Sequence, residues 1–194
     1  TDLSNDNFRW LTGQEIELAG VNLRALRVNY IGELGWELHT PMADLETVYD
    51  AVWAAGEAHG IADFGVYAVN NLRIEKGYRG WSVELTNEIT MIEADMERFV
   101  KYKKEFVGRD ALLKRREEEL EYNIVYLEME VEDADVMGGE TVLDGDKPIG
   151  IATSGAYGYT VGKSLAYAYV HPAYAKPGTT FEIDVLGSLC KATV

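Results

Sequence analysis

A single cysteine, Cys190, rules out an intrachain disulfide, so burial and hydrogen bonding alone must hold the fold. The same scarcity makes a reducing compartment the simpler reading: cytoplasmic or, in a eukaryote, the mitochondrial matrix. Histidines number three, His39, His59 and His171, none with a cysteine partner at metal-ligand spacing, so no metal site is expected. Positive charge is scarce too, with 18 Lys and Arg against 33 Asp and Glu and a formal charge of −15. Nucleic acid and anionic membrane surfaces both require basic partners, so neither is expected here. No apolar run approaches the roughly 20 residues of a membrane span. Nucleophile-elbow, phosphate-loop and zinc signatures are missing. The opening residues, Thr1-Asp-Leu-Ser-Asn-Asp-Asn-Phe8, have neither the basic and apolar regions of a signal peptide nor an initiator Met. They read as the start of a processed or excised portion of a longer chain.

What is present suffices for one large domain or two small ones: 194 residues, 47% of them hydrophobic. The texture changes near residue 120. Upstream, strand and helix signals mix. Residues 8–19 are rich in β-formers and end at Gly20. Leu23, Ala25 and Arg27 then alternate with Arg24, Leu26 and Val28 as a strand. A turn at Gly32 and Gly35 leads to a second strand through Thr40, which Pro41 ends because it cannot donate to a ladder. Residues 42–59 predict a helix, with Leu45, Val48, Tyr49, Val52 and Trp53 on one apolar stripe and Gly60 closing it. A second helix is expected over 66–76, closed by Gly77 and buried on more than one side. A third should start near Asp110, with Leu112 and Leu113 facing inward and Lys114-Arg-Arg-Glu-Glu-Glu119 as a solvated face. Downstream, strands are expected at 123–130, 142–149 with Asp144-Gly145 at a hairpin tip, 150–154, 164–170 and 180–186. This spacing argues a small barrel or sandwich.

Three segments could carry chemistry. In Tyr30-Ile-Gly-Glu-Leu-Gly-Trp-Glu-Leu38, side-chain alternation turns Glu37 away from the face of Trp36 and Leu38. Glu37 either points to water or waits at a pocket floor, where a carboxylate can accept two parallel N–H donors. Tyr30, seven residues earlier across the glycine turn, could face the same pocket. Gly77-Tyr-Arg-Gly-Trp81 sets aromatics beside glycines after a helix, as either a stacking wall for a flat ligand or a packed corner. Asn70-Asn-Leu-Arg-Ile-Glu75 puts two amides, an Arg and a Glu in one helix, either a polar network at a junction or ordinary capping and ion pairing. The glycines of Gly155-Ala-Tyr-Gly158 lack a following helix and read as close strand crossings, not a dinucleotide loop.

Taken in order, four blocks resemble the glycine-cleavage T-protein (aminomethyltransferase) family. They are the Tyr30–Leu38 run, the Gly65-Val-Tyr-Ala-Val-Asn-Asn-Leu-Arg-Ile-Glu-Lys-Gly77 helix, Glu105-Phe-Val-Gly-Arg-Asp-Ala-Leu112, and Gly150-Ile-Ala-Thr-Ser-Gly155 with Val161-Gly-Lys-Ser164. Within that family, Glu75-Lys-Gly-Tyr-Arg-Gly-Trp81 is most similar to the folate domains of sarcosine and dimethylglycine dehydrogenases. The resemblance implies an α+β fold, with a mixed antiparallel sheet and helices forming part of a folate-binding domain (1–107). A connecting helix (108–120) and a small all-β barrel (121–194) follow.

The implied cofactor is tetrahydrofolate, with Glu37 holding the pterin N–H edge and Tyr30 and Tyr78 lining its pocket. FAD would belong to a domain upstream. The implied activity is capture of an iminium carbon from a small amine as 5,10-methylenetetrahydrofolate. The family's catalytic Asp lies in a region that would precede Thr1, so no catalytic residue is assigned and the portion alone is expected to be inactive. Val69 stands where many members carry an Arg that helps hold folate, which argues against a plain glycine-cleavage protein. The alternatives are a folate-dependent O- or S-demethylase and an aminomethyltransferase-like protein. A non-enzymatic binding relative, such as the iron–sulfur assembly members, would be expected to lack the carboxylate that Glu37 supplies.

Overall fold

The computed structural model describes residues 1–194. The chain divides into two compact units, Thr1–Val69 and Asn70–Val194. No helix is long and apolar enough to cross a membrane.

The first unit is a three-stranded antiparallel sheet in the order β1 (Gly13–Leu18), β2 (Val21–Leu26), β3 (Glu37–His39), with the helix α1 (Leu45–Gly56). The β1–β2 connection is a two-residue turn, Ala19-Gly20, with both residues at positive φ, the twist that matches a hairpin. The core is Phe8, Leu23, Ala25 and Val48, with Ile16, Leu18, Val21 and Trp36 packed against it.

Two expectations change here. The strand predicted to run from the glycine turn to Thr40 is three residues long, because residues 27–36 form an irregular loop held by side chains. The helix predicted over 42–59 is α-helical only from Leu45 to Gly56, flanked by 3₁₀ turns at Met42–Asp44 and Glu57–His59. Gly60, at φ 72°, closes it as expected. Of its apolar stripe, Val48 alone is buried, while Leu45, Tyr49 and Val52 stay exposed. A sheet three strands wide, one of them very short, offers little surface for the stripe to cover.

The helix α2 (Val66–Glu75) precedes the turn that opens the second unit's loop region, and α3 (Arg109–Arg115) follows it. The third helix is therefore shorter than expected, and the acidic end of its charge run lies beyond its last turn. A closed antiparallel barrel completes the chain. Its strands are β4 (Asn123–Met129), β5 (Thr141–Asp144), β6 (Lys147–Gly158), β7 (Lys163–Val170), β8 (Thr180–Val185) and β9 (Ser188–Thr193). The order is β4-β7-β6-β5-β8-β9, closed by pairing of β9 with β4. The expected α+β fold with a small all-β barrel is the one observed.

Alternation fills the barrel. Val125, Leu127 and Met129 of β4, Ala166, Ala168 and Val170 of β7, and Phe181, Ile183 and Val185 of β8 point inward together. Strand β7 is buried on both faces. Its outward residues Leu165, Tyr167 and Tyr169 pack with Ile74 of α2, Ile124 and Ala156. One irregularity matters below. In the β6–β7 ladder Ala152 pairs with Ala168 and Ser154 with Tyr167, so Thr153 is an extra residue, a β-bulge.

Candidate functional site

In the first unit, the loop carrying Tyr30 is organised by a residue the sequence reading passed over. The Asn29 side-chain oxygen accepts from the backbone N–H groups of Ile31 (3.2 Å), Gly32 (2.6 Å) and Glu33 (3.2 Å). This is an Asx-type turn, and Asn ahead of a glycine cluster is its sequence signal. Gly32 takes φ 73°, as the turn requires. Gly35 has a different reason: a Cβ there would lie 3.3 Å from Asn29 Cβ. Trp36 packs edge-on to Phe8, with ring centroids 6.3 Å apart. The Arg27 guanidinium lies over its ring at 5.4 Å and donates to the Phe8 carbonyl at 2.5 Å.

That anchorage fixes the start of β3, and Glu37 turns to the other side. Its side chain is 52% exposed and sits 3.1 Å from His39 Nε2, its i+2 neighbour on the same strand face. Tyr30 is 42% exposed. His39 also lines a shallow cleft of about 590 Å³ with Glu15, Arg24 and Pro41. Tyr30 and Glu37 thus belong to the same open loop-and-strand region. Tyr78 belongs to the second unit.

The second unit contains the polar network that the Asn70–Glu75 run suggested. Asn70 donates to the Gly155 carbonyl at 3.1 Å and Asn71 to the Tyr157 carbonyl at 2.7 Å. Glu75 accepts from the Thr160 N–H at 2.8 Å. Arg73, 3% exposed, donates to Asn70 Oδ1 (2.7 and 2.9 Å), to the Tyr78 carbonyl (3.0 Å) and to Glu84 (3.1 Å). Glu84 is wholly buried. Its Oε2 accepts from Arg73 and from the Gly80 N–H, and its Oε1 from Thr153 Oγ1 (2.7 Å) and Ser154 Oγ (2.6 Å). Its carbonyl accepts from Tyr169 OH at 2.8 Å.

Consecutive strand residues normally face opposite ways, and the bulge at Thr153 is what lets Thr153 and Ser154 reach one carboxylate oxygen. A buried charge costs several kcal/mol unless paired and fully hydrogen-bonded, and Glu84 meets both conditions. Burial pushes the phenols of Tyr167 and Tyr169 well above their ordinary range, so both stay protonated near this carboxylate.

Residues 1–104, more than half the chain, match the family model for the GCVT N-terminal domain. The chain belongs to the glycine cleavage T-protein family. Residues 123–194 match the family's C-terminal barrel domain. The mitochondrial dimethylglycine dehydrogenase of Mus musculus is 38% identical over 195 residues, 100% of this chain and 22% of that protein. The mitochondrial sarcosine dehydrogenase of Mus musculus is 38% identical over 91% of this chain and 19% of its own length. An aminomethyltransferase of Thermoanaerobacter pseudethanolicus is 34% identical over the whole chain and 52% of its own length. The chain thus spans about a fifth of the dehydrogenases and half of the aminomethyltransferase. The crystal structure of the glycine cleavage aminomethyltransferase T from Bartonella henselae shares the fold. Its TM-score is 0.83 over 95% of this chain and 51% of that one, at 23% identity.

A second acidic anchor in this family member also escaped the sequence reading. Glu93, 7% exposed, accepts from the Thr90 hydroxyl and N–H and from Arg115 of α3 at 2.8 Å. Burial opposes its charge, but the hydrogen bonds from Thr90 and Arg115 prevail and hold the carboxyl below its usual range. The sequence places Arg115 on a solvated face, whereas its side chain is mostly covered and paired with Glu93.

Proposed function

We infer that this chain is the tetrahydrofolate-binding module of a one-carbon transfer enzyme of the dimethylglycine/sarcosine dehydrogenase type, in which FAD and amine oxidation belong to other parts of the protein. The observation that carries this is the 38% identity to dimethylglycine dehydrogenase over the entire chain. The family binds tetrahydrofolate in general. Bound folate would supply the acceptor for the one-carbon unit.

The residues present fit such a ligand. Glu37 offers an acceptor-only carboxylate on an open strand face, and the backbone behind it is fixed by Trp36 and Arg27. A carboxylate of this kind accepts paired N–H donors from the edge of a pterin ring, as it would from a guanidinium. Its role is to bind and orient, with no proton exchanged. Tyr30, exposed in the loop that leads into β3, is the second candidate contact in this unit.

Titration calorimetry of the full-length protein with a reduced folate tests the assignment. Glu37→Gln keeps the shape and removes the charge, and we expect a loss of about 1.5–3 kcal/mol, roughly ten- to a hundredfold in affinity. Equal affinity for the two proteins would sink the Glu37 assignment. Turnover of dimethylglycine and sarcosine by the same preparation separates the dehydrogenase reading from a demethylase, which would oxidise neither.

A further inference from the structure

Cations are scarce in this chain, yet four of its 18 fall within seven residues, Arg98-Phe-Val-Lys-Tyr-Lys-Lys104, with no acid among them. The stretch belongs to the second unit and runs from a 3₁₀ turn at Glu97–Phe99 toward α3. All four cations are exposed. The cations in and just after α3 are answered within the chain. Arg109 pairs with Asp110 at 3.1 Å, Lys114 with Glu118 at 3.6 Å, Arg115 with Glu93 at 2.8 Å and Arg116 with Glu97 at 2.6 Å. Lys101, Lys103 and Lys104 enter no ion pair and donate no side-chain hydrogen bond, although acids outnumber bases 33 to 18. Arg98 lies over the Phe99 ring at 4.8 Å.

Apolar surface accompanies this charge. Phe99 is 57% exposed, and Phe106 and Val107 are exposed as well. The loop that carries them is held in one shape. Phe99 N–H donates to the Met96 carbonyl at 3.0 Å, Val100 N–H to the Glu97 carbonyl at 2.9 Å and Lys104 N–H to the Lys101 carbonyl at 2.9 Å. Tyr102 is the pivot. Its hydroxyl donates to Glu97 at 2.8 Å, its carbonyl accepts from Arg109 Nε at 2.8 Å, and the Arg116 guanidinium lies over its ring at 5.1 Å. Tyr102 is half-buried while Lys101 and Lys103 on either side stay in solvent. A loop already shaped in this way loses little freedom on contact. An exposed aromatic followed by unpaired charges has the composition of an interface anchor with a polar rim.

We propose that the loop 98–107 is a docking surface for an acidic segment of a partner protein, one that carries several Asp or Glu side chains and an aromatic or aliphatic residue. The segment's carboxylates meet Lys101, Lys103 and Lys104, and its apolar residue meets Phe99. Charge complementarity selects this occupant. At physiological ionic strength charges beyond about 8 Å are screened, so a short segment responds to the four local cations and not to the chain's −15. A nucleic acid or an anionic membrane extends well past that distance and meets the acids that follow in sequence, Glu105, Asp110 and Glu117-Glu-Glu119. A second copy of the chain brings −15 against −15. The inference does not depend on the folate reading.

Fluorescence anisotropy of the full-length protein with a labelled peptide, Glu-Glu-Phe-Glu-Glu-Phe-Glu, tests it. We expect saturable binding at about 50 mM salt that weakens at least tenfold at about 300 mM. Lys101→Gln combined with Lys103→Gln and Lys104→Gln should weaken binding at least tenfold at the lower salt, and Phe99→Ser at least threefold. Lys147→Gln with Lys176→Gln alters two exposed lysines elsewhere in the second unit that also enter no ion pair, and should leave binding unchanged. Every substituted side chain is exposed, so the variants keep the fold. Absence of saturable binding by the wild type overturns the proposal, as does equal affinity in the triple variant or an equal loss in the Lys147 and Lys176 variant. Tighter binding of single-stranded DNA or of phosphatidylserine vesicles at the same salt overturns it too, as does a salt-dependent dimer in sedimentation that the triple variant abolishes, since each names a different occupant.

Discussion

Glu37 heads a three-residue strand in the first unit, leaves about half its side chain in water and pairs with His39. Glu84 sits in the turn after α2, has no solvent exposure and accepts from Arg73, Gly80, Thr153 and Ser154. The regions around them differ in the same sense. The first unit buries four core residues and leaves most of its helix stripe exposed. The barrel buries fourteen in one cluster and uses the outer face of β7 for a second. A carboxylate meant to meet a ligand must keep its oxygens available, whereas one that holds a scaffold must have every lone pair answered within the protein. Burial and hydrogen bonding therefore separate the two carboxylates where residue type cannot.

This contrast breaks most visibly at Glu84. Glu84→Ala leaves the Arg73 guanidinium buried without its partner, and we expect about 3–5 kcal/mol of lost stability, read as a lower denaturant midpoint. Glu37→Ala should change stability by less than about 0.5 kcal/mol, as exposed substitutions do. A comparable loss at both positions would erase the distinction.

A middle-sized effect is expected from the steric side of the same region. A Cβ at Gly150 would lie 2.2 Å from the Tyr169 carbonyl, so Gly150→Ala forces β6 and β7 apart and should cost about 1–3 kcal/mol. Tyr169→Phe removes only the hydroxyl that donates to the Glu84 carbonyl, and about 0.5–1.5 kcal/mol is expected by urea unfolding.

The smallest effect concerns pH. The Glu93 carboxyl is lowered in the folded chain, so its stabilising contribution is complete above the ordinary carboxylate range. It is lost as pH falls through the folded value. Glu93→Gln should flatten the acid limb of the thermal midpoint against pH below about 5 and leave its shape at neutral pH unchanged. An identical acid limb would show that Glu93 is not coupled to folding in this way.

The barrel was the most legible part of the sequence, because Val, Ile, Tyr and Ala alternate between turn signals from residue 123 onward. Strand β9 was not. The turn before it is Leu186-Gly187, with Leu186 at φ 52°, and a leucine there reads as more strand. Local physics left the candidate ligand residues Tyr30, Glu37 and Tyr78 open between a pocket and solvent or packing, and only motif order gave them a ligand role. Glu84 left no trace at all: it lies four residues from the exposed Glu88, and only the donors that converge on it from α2, Gly80, β6 and β7 tell them apart. Glu93 and Arg115 were hidden for the same reason, their partnership spanning 22 residues.

The extra residue at Thr153 has a consequence for how this barrel can vary. Against β7, strand β6 carries one parity of inward and outward positions from Gly150 to Ala152 and the opposite parity from Ser154 onward. Deleting Thr153 would remove the register shift and with it the pair of adjacent hydroxyls that seats the carboxylate. Insertions and deletions in this strand therefore count modulo two. In any relative of this chain, an odd change of length between Gly150 and Gly158 should travel with loss of the acidic residue at position 84.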